Sequence, residues 1–334
     1  MSTSCSTYEK DMARKIGGPG GITMLKRKLG AENHRVVRRG KRYFVPDYEK
    51  SLFDFERVRV RIQNLLLVLA LALPGCFLAG CETLPPPLAA ASGVKPTLFL
   101  AGDSTVHTMG PRTGWGDVIV PFFDASRITV TNWARGGRSS RTFQTEGLWD
   151  KMLAQARPGD FVLIQFGHND GGPLDDTNRA RGTLPGLGNE CREIYNPIQQ
   201  RQEVVHTYGW YLRKYIADAR AKDVTPILCS PVPRMPSWPS KPMDVDRYAA
   251  WSRQVAQSEK VPMLDLNRII KRHYASLTTN EIKTIYFTPL DNTHTSVAGA
   301  QLNAGCVVEG LRVLRDCRLK DYLAPDSMPL SFHR

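Results

Sequence analysis

The chain has 334 residues, 42% of them hydrophobic, with 45 Lys or Arg against 32 Asp or Glu; that much apolar material can bury a core and excludes a wholly disordered chain. The formal charge of +13 is uneven, since residues 1–80 hold 15 basic and 7 acidic groups whereas the remainder holds 30 and 25, so the excess lies mainly in the leader and nucleic-acid binding is set aside. Seven cysteines are too few to require a disulfide scaffold in a domain this size, and none forms a C-x-x-C pair with a His or Cys partner.

Residues 1–56 form a basic extension, read as the product of a start site assigned too far upstream. In residues 57–81, Arg57, Arg59 and Arg61 precede an apolar run over 65–80, a length that suits an export signal better than a bilayer span. Leu78-Ala79-Gly80-Cys81 resembles the bacterial lipoprotein processing box. That resemblance implies a lipid on Cys81 that anchors the mature chain to a membrane, and a destination in the cell envelope, periplasmic or as an outer-membrane lipoprotein. Ordinary cleavage near residues 89–91, giving a secreted protein, and retention of the apolar segment are the alternatives. Residues 82–96, with Pro85, Pro86 and Pro87, read as a linker.

Past the linker, short apolar runs at residues 97–101, 128–131, 161–165, 225–229 and 261–265 read as strands. Amphipathic stretches at 142–156, 208–221, 244–259 and 296–314 read as helices between or after them. Apolar strands joined by long crossovers predict parallel pairing. The expected object is one α/β domain over residues 97–320, a three-layer α/β/α sandwich around a mostly parallel five-stranded, flavodoxin-like sheet, followed by a tail at 321–334. Residues 171–206 lack any sustained period and are rich in Gly and Asn; they are expected to be an insertion that recognises substrate.

Four polar segments fall at the carboxyl ends of these elements, where open α/β sheets bind ligands. Gly102-Asp103-Ser104 follows the first strand and offers a hydroxyl, although Asp103 or Ser104 also suits a turn or cap. Gly136-Gly137-Arg138-Ser139 follows the second strand; paired glycines let a backbone N–H approach developing negative charge, and the order is neither a P-loop nor G-x-G-x-x-G. Gly167-His168-Asn169-Asp170 follows the third, with an amide suited to an oxyanion, a carboxylate suited to fixing the loop, and a His168 as suited to structure as to base chemistry. Asp291 precedes His294 by three residues just before the last helix, close enough for the carboxylate to fix the imidazole tautomer. Trp133 can stack under a sugar ring or fill the core, and Arg138, Arg141 and Asp170 are candidate contacts to hydroxyls or an acidic sugar.

This ordered set resembles the SGNH, or GDSL-like, serine hydrolases, and within them the rhamnogalacturonan acetylesterase-like branch; the resemblance spans roughly 220 residues. It implies a carboxylic ester hydrolase with Ser104 as nucleophile, His294 as acid and base, and Asp291 orienting the ring. The Ser104 and Gly137 N–H groups and the Asn169 side chain would form the oxyanion hole. No cofactor or metal is required, the expected substrate is an O-acetylated extracellular polysaccharide, pectin-like ahead of lipid esters, and a monomer suffices. The competing readings are a short-chain carboxylesterase of another substrate class, a non-catalytic glycan-binding protein on a hydrolase fold, and a metal-dependent phosphoesterase using Asp103, His168, Asp170, Asp291 and His294.

Overall fold

The computed structural model describes residues 36–38, 41–43, 94–108, 110–236, 245–289 and 292–325. The export segment, Cys81, the linker through residue 93, Asp291 and residues 326–334 lie outside the described residues. The chain divides into two compact units, Met1–Pro86 and Pro87–Arg334. In the first, β1 (Val36–Arg38) pairs antiparallel with β2 (Lys41–Tyr43).

Seven strands follow in the second unit: β3 (Thr97–Gly102), β4 (Thr129–Asn132), β5 (Phe161–Gln165), β6 (Cys191–Asn196), β7 (Arg201–His206), β8 (Thr225–Cys229) and β9 (Met263–Leu264). Five of them form one sheet in the order β4-β3-β5-β8-β9 with every neighbouring pair parallel. Its helices are α1 (Ser140–Thr145), α2 (Leu148–Leu153), α3 (Tyr208–Arg220), α4 (Val245–Glu259), α5 (Leu266–Tyr274) and α6 (Val297–Val313). The three layers follow from the period of two along each strand. Leu98, Leu100, Leu163 and Ile227 point to one face and pack with Leu266, Ile270, Leu302 and Val307 of α5 and α6. Phe99, Ala101, Val162 and Ile164 point to the other and meet Phe143, Trp149, Tyr215 and Ile216 of α1 to α3. Central strands covered on both faces become continuous apolar runs, and each fully buried Leu or Ile contributes about 2 kcal/mol of transfer free energy.

The expected α/β/α sandwich with a five-stranded parallel sheet is present, with differences at its edges. The helix expected over 142–156 is two short helices, because Gly147 takes a left-handed conformation (φ +71°) between them. The fifth strand shrinks to Met263–Leu264, since Pro262 has no N–H for the ladder and Asp265 already leads into α5. That helix, Leu266–Tyr274, was not anticipated; its Leu266, Ile269 and Ile270 are buried on one side and carry it onto the sheet. The insertion is ordered, and β6 and β7 form an antiparallel hairpin inside it. Cys229, Cys306 and Cys317 are buried free thiols, packed as small apolar core groups.

Candidate active site

Ser104 sits in the turn after β3, and Asp103 builds that turn. The Asp103 Oδ1 accepts the Thr105 N–H and hydroxyl, both at 2.8 Å, while its carbonyl accepts the N–H groups of Val106 and His107. Beneath it the Gln165 amide donates to Thr105 Oγ1 at 2.6 Å and Trp115 Nε1 donates to Gln165 Oε1 at 2.9 Å, tying the turn to β5. Burial alone would raise the Asp103 carboxyl, but the adjacent His168 ring and the Thr105 hydrogen bonds outweigh it and hold it below its ordinary value.

His294 reaches Ser104 from the far end of the chain, with Nε2 2.8 Å from Oγ. Its loop is held on both sides: Thr288 N–H donates to the His294 carbonyl at 3.1 Å, Thr113 N–H donates to the Thr295 carbonyl at 3.1 Å, and Thr295 Oγ1 donates to the Thr113 carbonyl at 2.7 Å. Ser296 then caps α6 by accepting the Gly299 N–H. Arg234, after β8, hydrogen-bonds to Thr293 Oγ1 and to the His168 carbonyl, joining the loops that carry the two histidines.

Opposite the hydroxyl lies the glycine loop. Gly136 stands beside Ser104, close enough that an added Cβ would be 3.7 Å from Ser104 Cβ. Gly137 has φ +79°, a left-handed conformation that a residue with a Cβ adopts only at a cost. Among the described residues, neither the Ser104 nor the Gly137 N–H donates to another protein group. Asn169 donates one amide hydrogen to the Arg138 carbonyl at 2.8 Å, which fixes its plane and leaves a second donor on the same nitrogen. Ser104, Gly137, Asn169 and His294 all line one cavity of about 750 Å³. A hydroxyl against an imidazole, with two free backbone donors and an oriented amide beside it, suits acyl transfer through a tetrahedral oxyanion.

A profile of the GDSL-like Lipase/Acylhydrolase family matches residues 100–302. The chain belongs to this family. It is a carboxylic ester hydrolase of the SGNH group, in the branch to which the four sequence blocks pointed. It is 31% identical over 223 residues to a rhamnogalacturonan acetylesterase of Emericella nidulans, which covers 66% of this chain and 86% of that protein. A rhamnogalacturonan acetylesterase of Bacillus subtilis is 31% identical over 244 residues, covering 68% of this chain and 93% of its own. The crystal structure of the Bacillus subtilis protein YxiM has a similar fold, with a TM-score of 0.51 and 24% identity over 66% of this chain and 56% of that one.

Other candidate residues of this GDSL-like hydrolase have different places. Arg138 lines the cavity and pairs with Glu146 at 2.9 Å. Arg141 is not a cavity residue: it is fully buried, bidentate to Glu203 of β7 at 2.7 Å for each bond, and donates to the Leu174 and Gly182 carbonyls. Asp170 is likewise buried and binds the Ser140 N–H at 3.1 Å and its hydroxyl, tying the loop after β5 to the start of α1. Trp133 packs against the core on the α1 to α3 side of the sheet and does not line the cavity. His168 has Nε2 3.0 Å from the Val232 carbonyl and Nδ1 3.3 Å from Asp103 Oδ2, the latter an electrostatic contact rather than an aligned hydrogen bond. The ligand atoms of Asp103, His168, Asp170 and His294 do not converge; among the described residues that property belongs to His273, Cys306 and Glu309, on α5 and α6.

Sequence reasoning missed Arg112, Arg179, Arg181 and Arg234, all of which line the cavity. With Arg138 they make five guanidinium groups, against the one carboxylate of Glu146 among the described lining residues. Seven lining residues come from the insertion.

Proposed function

We propose that this hydrolase is a serine acetylesterase that removes O-acetyl groups from an acidic, pectin-like extracellular polysaccharide. The observation that carries the reading is the 2.8 Å contact between Ser104 Oγ and His294 Nε2 inside an arginine-rich cavity. His294 takes the Ser104 proton as Oγ attacks the acetyl carbonyl, then returns it to the departing sugar hydroxyl. Water activated by the same imidazole releases acetate from the acyl-enzyme. Asp291 is assigned the orienting carboxylate for His294. The Ser104 and Gly137 N–H groups and the Asn169 amide are assigned to the oxyanion.

Support for an acidic polymer comes from the charge of the wall, where guanidinium groups suit the paired oxygens of uronate carboxylates, and from the names of the relatives, rhamnogalacturonan acetylesterases. A polymer substrate accords with export through residues 57–81, lipidation at Cys81, a linker over 82–96 and a catalytic domain over 97–320. Initial rates of acetate release from acetylated pectic oligosaccharides, acetylated xylo-oligosaccharides, aryl acetate and long-chain aryl esters test the substrate. The pectic substrate is expected to be fastest, with Ser104→Ala inactive on all. Turnover by folded Ser104→Ala would sink the mechanism, and a preference for neutral glycans or long acyl chains would sink the polymer assignment. Mass spectrometry of the mature amino terminus tests the processing: a first residue beyond Cys81 without lipid overturns the anchor.

A further inference from the structure

The insertion does more at the cavity than enclose it. Gly182 packs so closely on the loop after β5 that an added Cβ would lie 1.8 Å from the Gly172 carbonyl oxygen, and the Arg181 and Gly182 N–H groups both donate to the Pro173 carbonyl. Thr183 N–H donates to the Asp170 carbonyl at 2.9 Å, and the buried Arg141–Glu203 pair clamps the same segment to α1 and β7. This frame lays the Arg181 stem along Gly172 and brings Nη1 to the Gly137 carbonyl at 3.1 Å, next to Gly136, which stands beside Ser104. Arg181 Nε is buried with no protein hydrogen-bond partner.

We propose that Arg181 is a positioning residue for the oxyanion hole: its bond to the Gly137 carbonyl fixes the backbone that aims the Gly137 N–H, and its charge lies along the wall where the oxyanion develops. The proposal rests on the serine acyl-transfer reading above but not on the identity of the polymer. The insertion would then be part of the chemical apparatus, and Arg181 would matter for esters that carry no negative charge. Arg179, which lines the cavity and, among the described residues, has no side-chain hydrogen bond to the glycine loop, would matter only for acidic substrates.

The decisive substrate is a small neutral aryl acetate. Arg181→Ala is expected to lower kcat about 10- to 100-fold with KM little changed, somewhat less than the full loss of one oxyanion donor, and to weaken inhibition by an arylboronic acid, a mimic of the tetrahedral adduct, by a similar factor. Arg181→Lys should recover part of both, since it keeps the charge and one donor; thermal unfolding of each variant reports whether the fold is intact. Full kcat on the aryl acetate in folded Arg181→Ala, with a loss confined to KM on acidic oligosaccharides, would overturn the proposal and leave Arg181 as a substrate clamp. An equal loss in kcat and unfolding midpoint that Arg181→Lys does not relieve would also overturn it, in favour of a purely structural role. Wild-type protein without aryl acetate turnover or Ser104 acylation would instead refute the acyl-transfer reading, so the two failures are distinct.

Discussion

Replacing Asp170 by Asn should change how stability depends on pH. The carboxyl is fully buried, one of its oxygens serves Ser140, and the other has no hydrogen-bond partner among the described residues. Burial, with the nearby Asp103 charge adding to it, raises its pKa from 3.8 to about 7. The native protein therefore holds this proton where the unfolded chain has released it. Below about pH 4 both states are protonated and the residue costs nothing; between pH 4 and 7 stability falls as pH rises; above pH 7 the cost is complete. The gap between the two values corresponds to about 4 kcal/mol, an upper figure. The amide of the Asp170→Asn variant would keep an acceptor for Ser140 without the charge. Urea unfolding of both proteins at pH 4 and pH 8 should show the Asp170→Asn variant gaining on the wild type as pH rises, by up to about 4 kcal/mol. A difference that stays flat or falls between those pH values would refute the burial argument.

Arg141→Met should destabilise the domain by about 3–5 kcal/mol in urea unfolding, because Glu203 is left buried without its partner; adding Glu203→Gln should recover part of the loss. Asn169→Ala should lower kcat on an aryl acetate about 10²- to 10³-fold with little change in KM, measured by steady-state kinetics. Arg179→Ala should raise KM for acetylated acidic oligosaccharides and leave aryl acetate kinetics unchanged, since Arg179 lines the cavity and, among the described residues, its side chain makes no hydrogen bond to the loops of Ser104, Gly137, Asn169 and His294.

The sheet was legible because its central strands are covered on both sides and so carry unbroken apolar runs, as in residues 161–165. The loops that line the cavity beside Ser104 were legible because Gly102, Gly137 and Asn169 occupy backbone and donor positions that few residue types satisfy. Arg141 was misread for a physical reason. An arginine in a polar loop just ahead of the helix expected over 142–156 is expected to face solvent or substrate, and what brings it in is Glu203, 62 positions away and invisible to local pattern. Arg112, Arg179, Arg181 and Arg234 escaped for the converse reason: an arginine in a loop has no period, and only the tertiary path of the insertion decides whether it faces a cavity. The α5 helix was missed because Leu266, Ile269 and Ile270 are its only close apolar triplet among basic neighbours.

Ser104 and His294 are 190 positions apart, and the strands of the central sheet between them pair only in parallel. Parallel pairing gives no hairpin from which to zip the sheet, so each new strand must close a long loop before any contact compensates for it. On the proposed mechanism, a chain growing from its amino terminus therefore carries Ser104 through most of its synthesis without His294. On that reading esterase activity would switch on only when the segment that carries His294 and α6 docks, and its recovery in refolding reads the joining of the two ends of the central sheet.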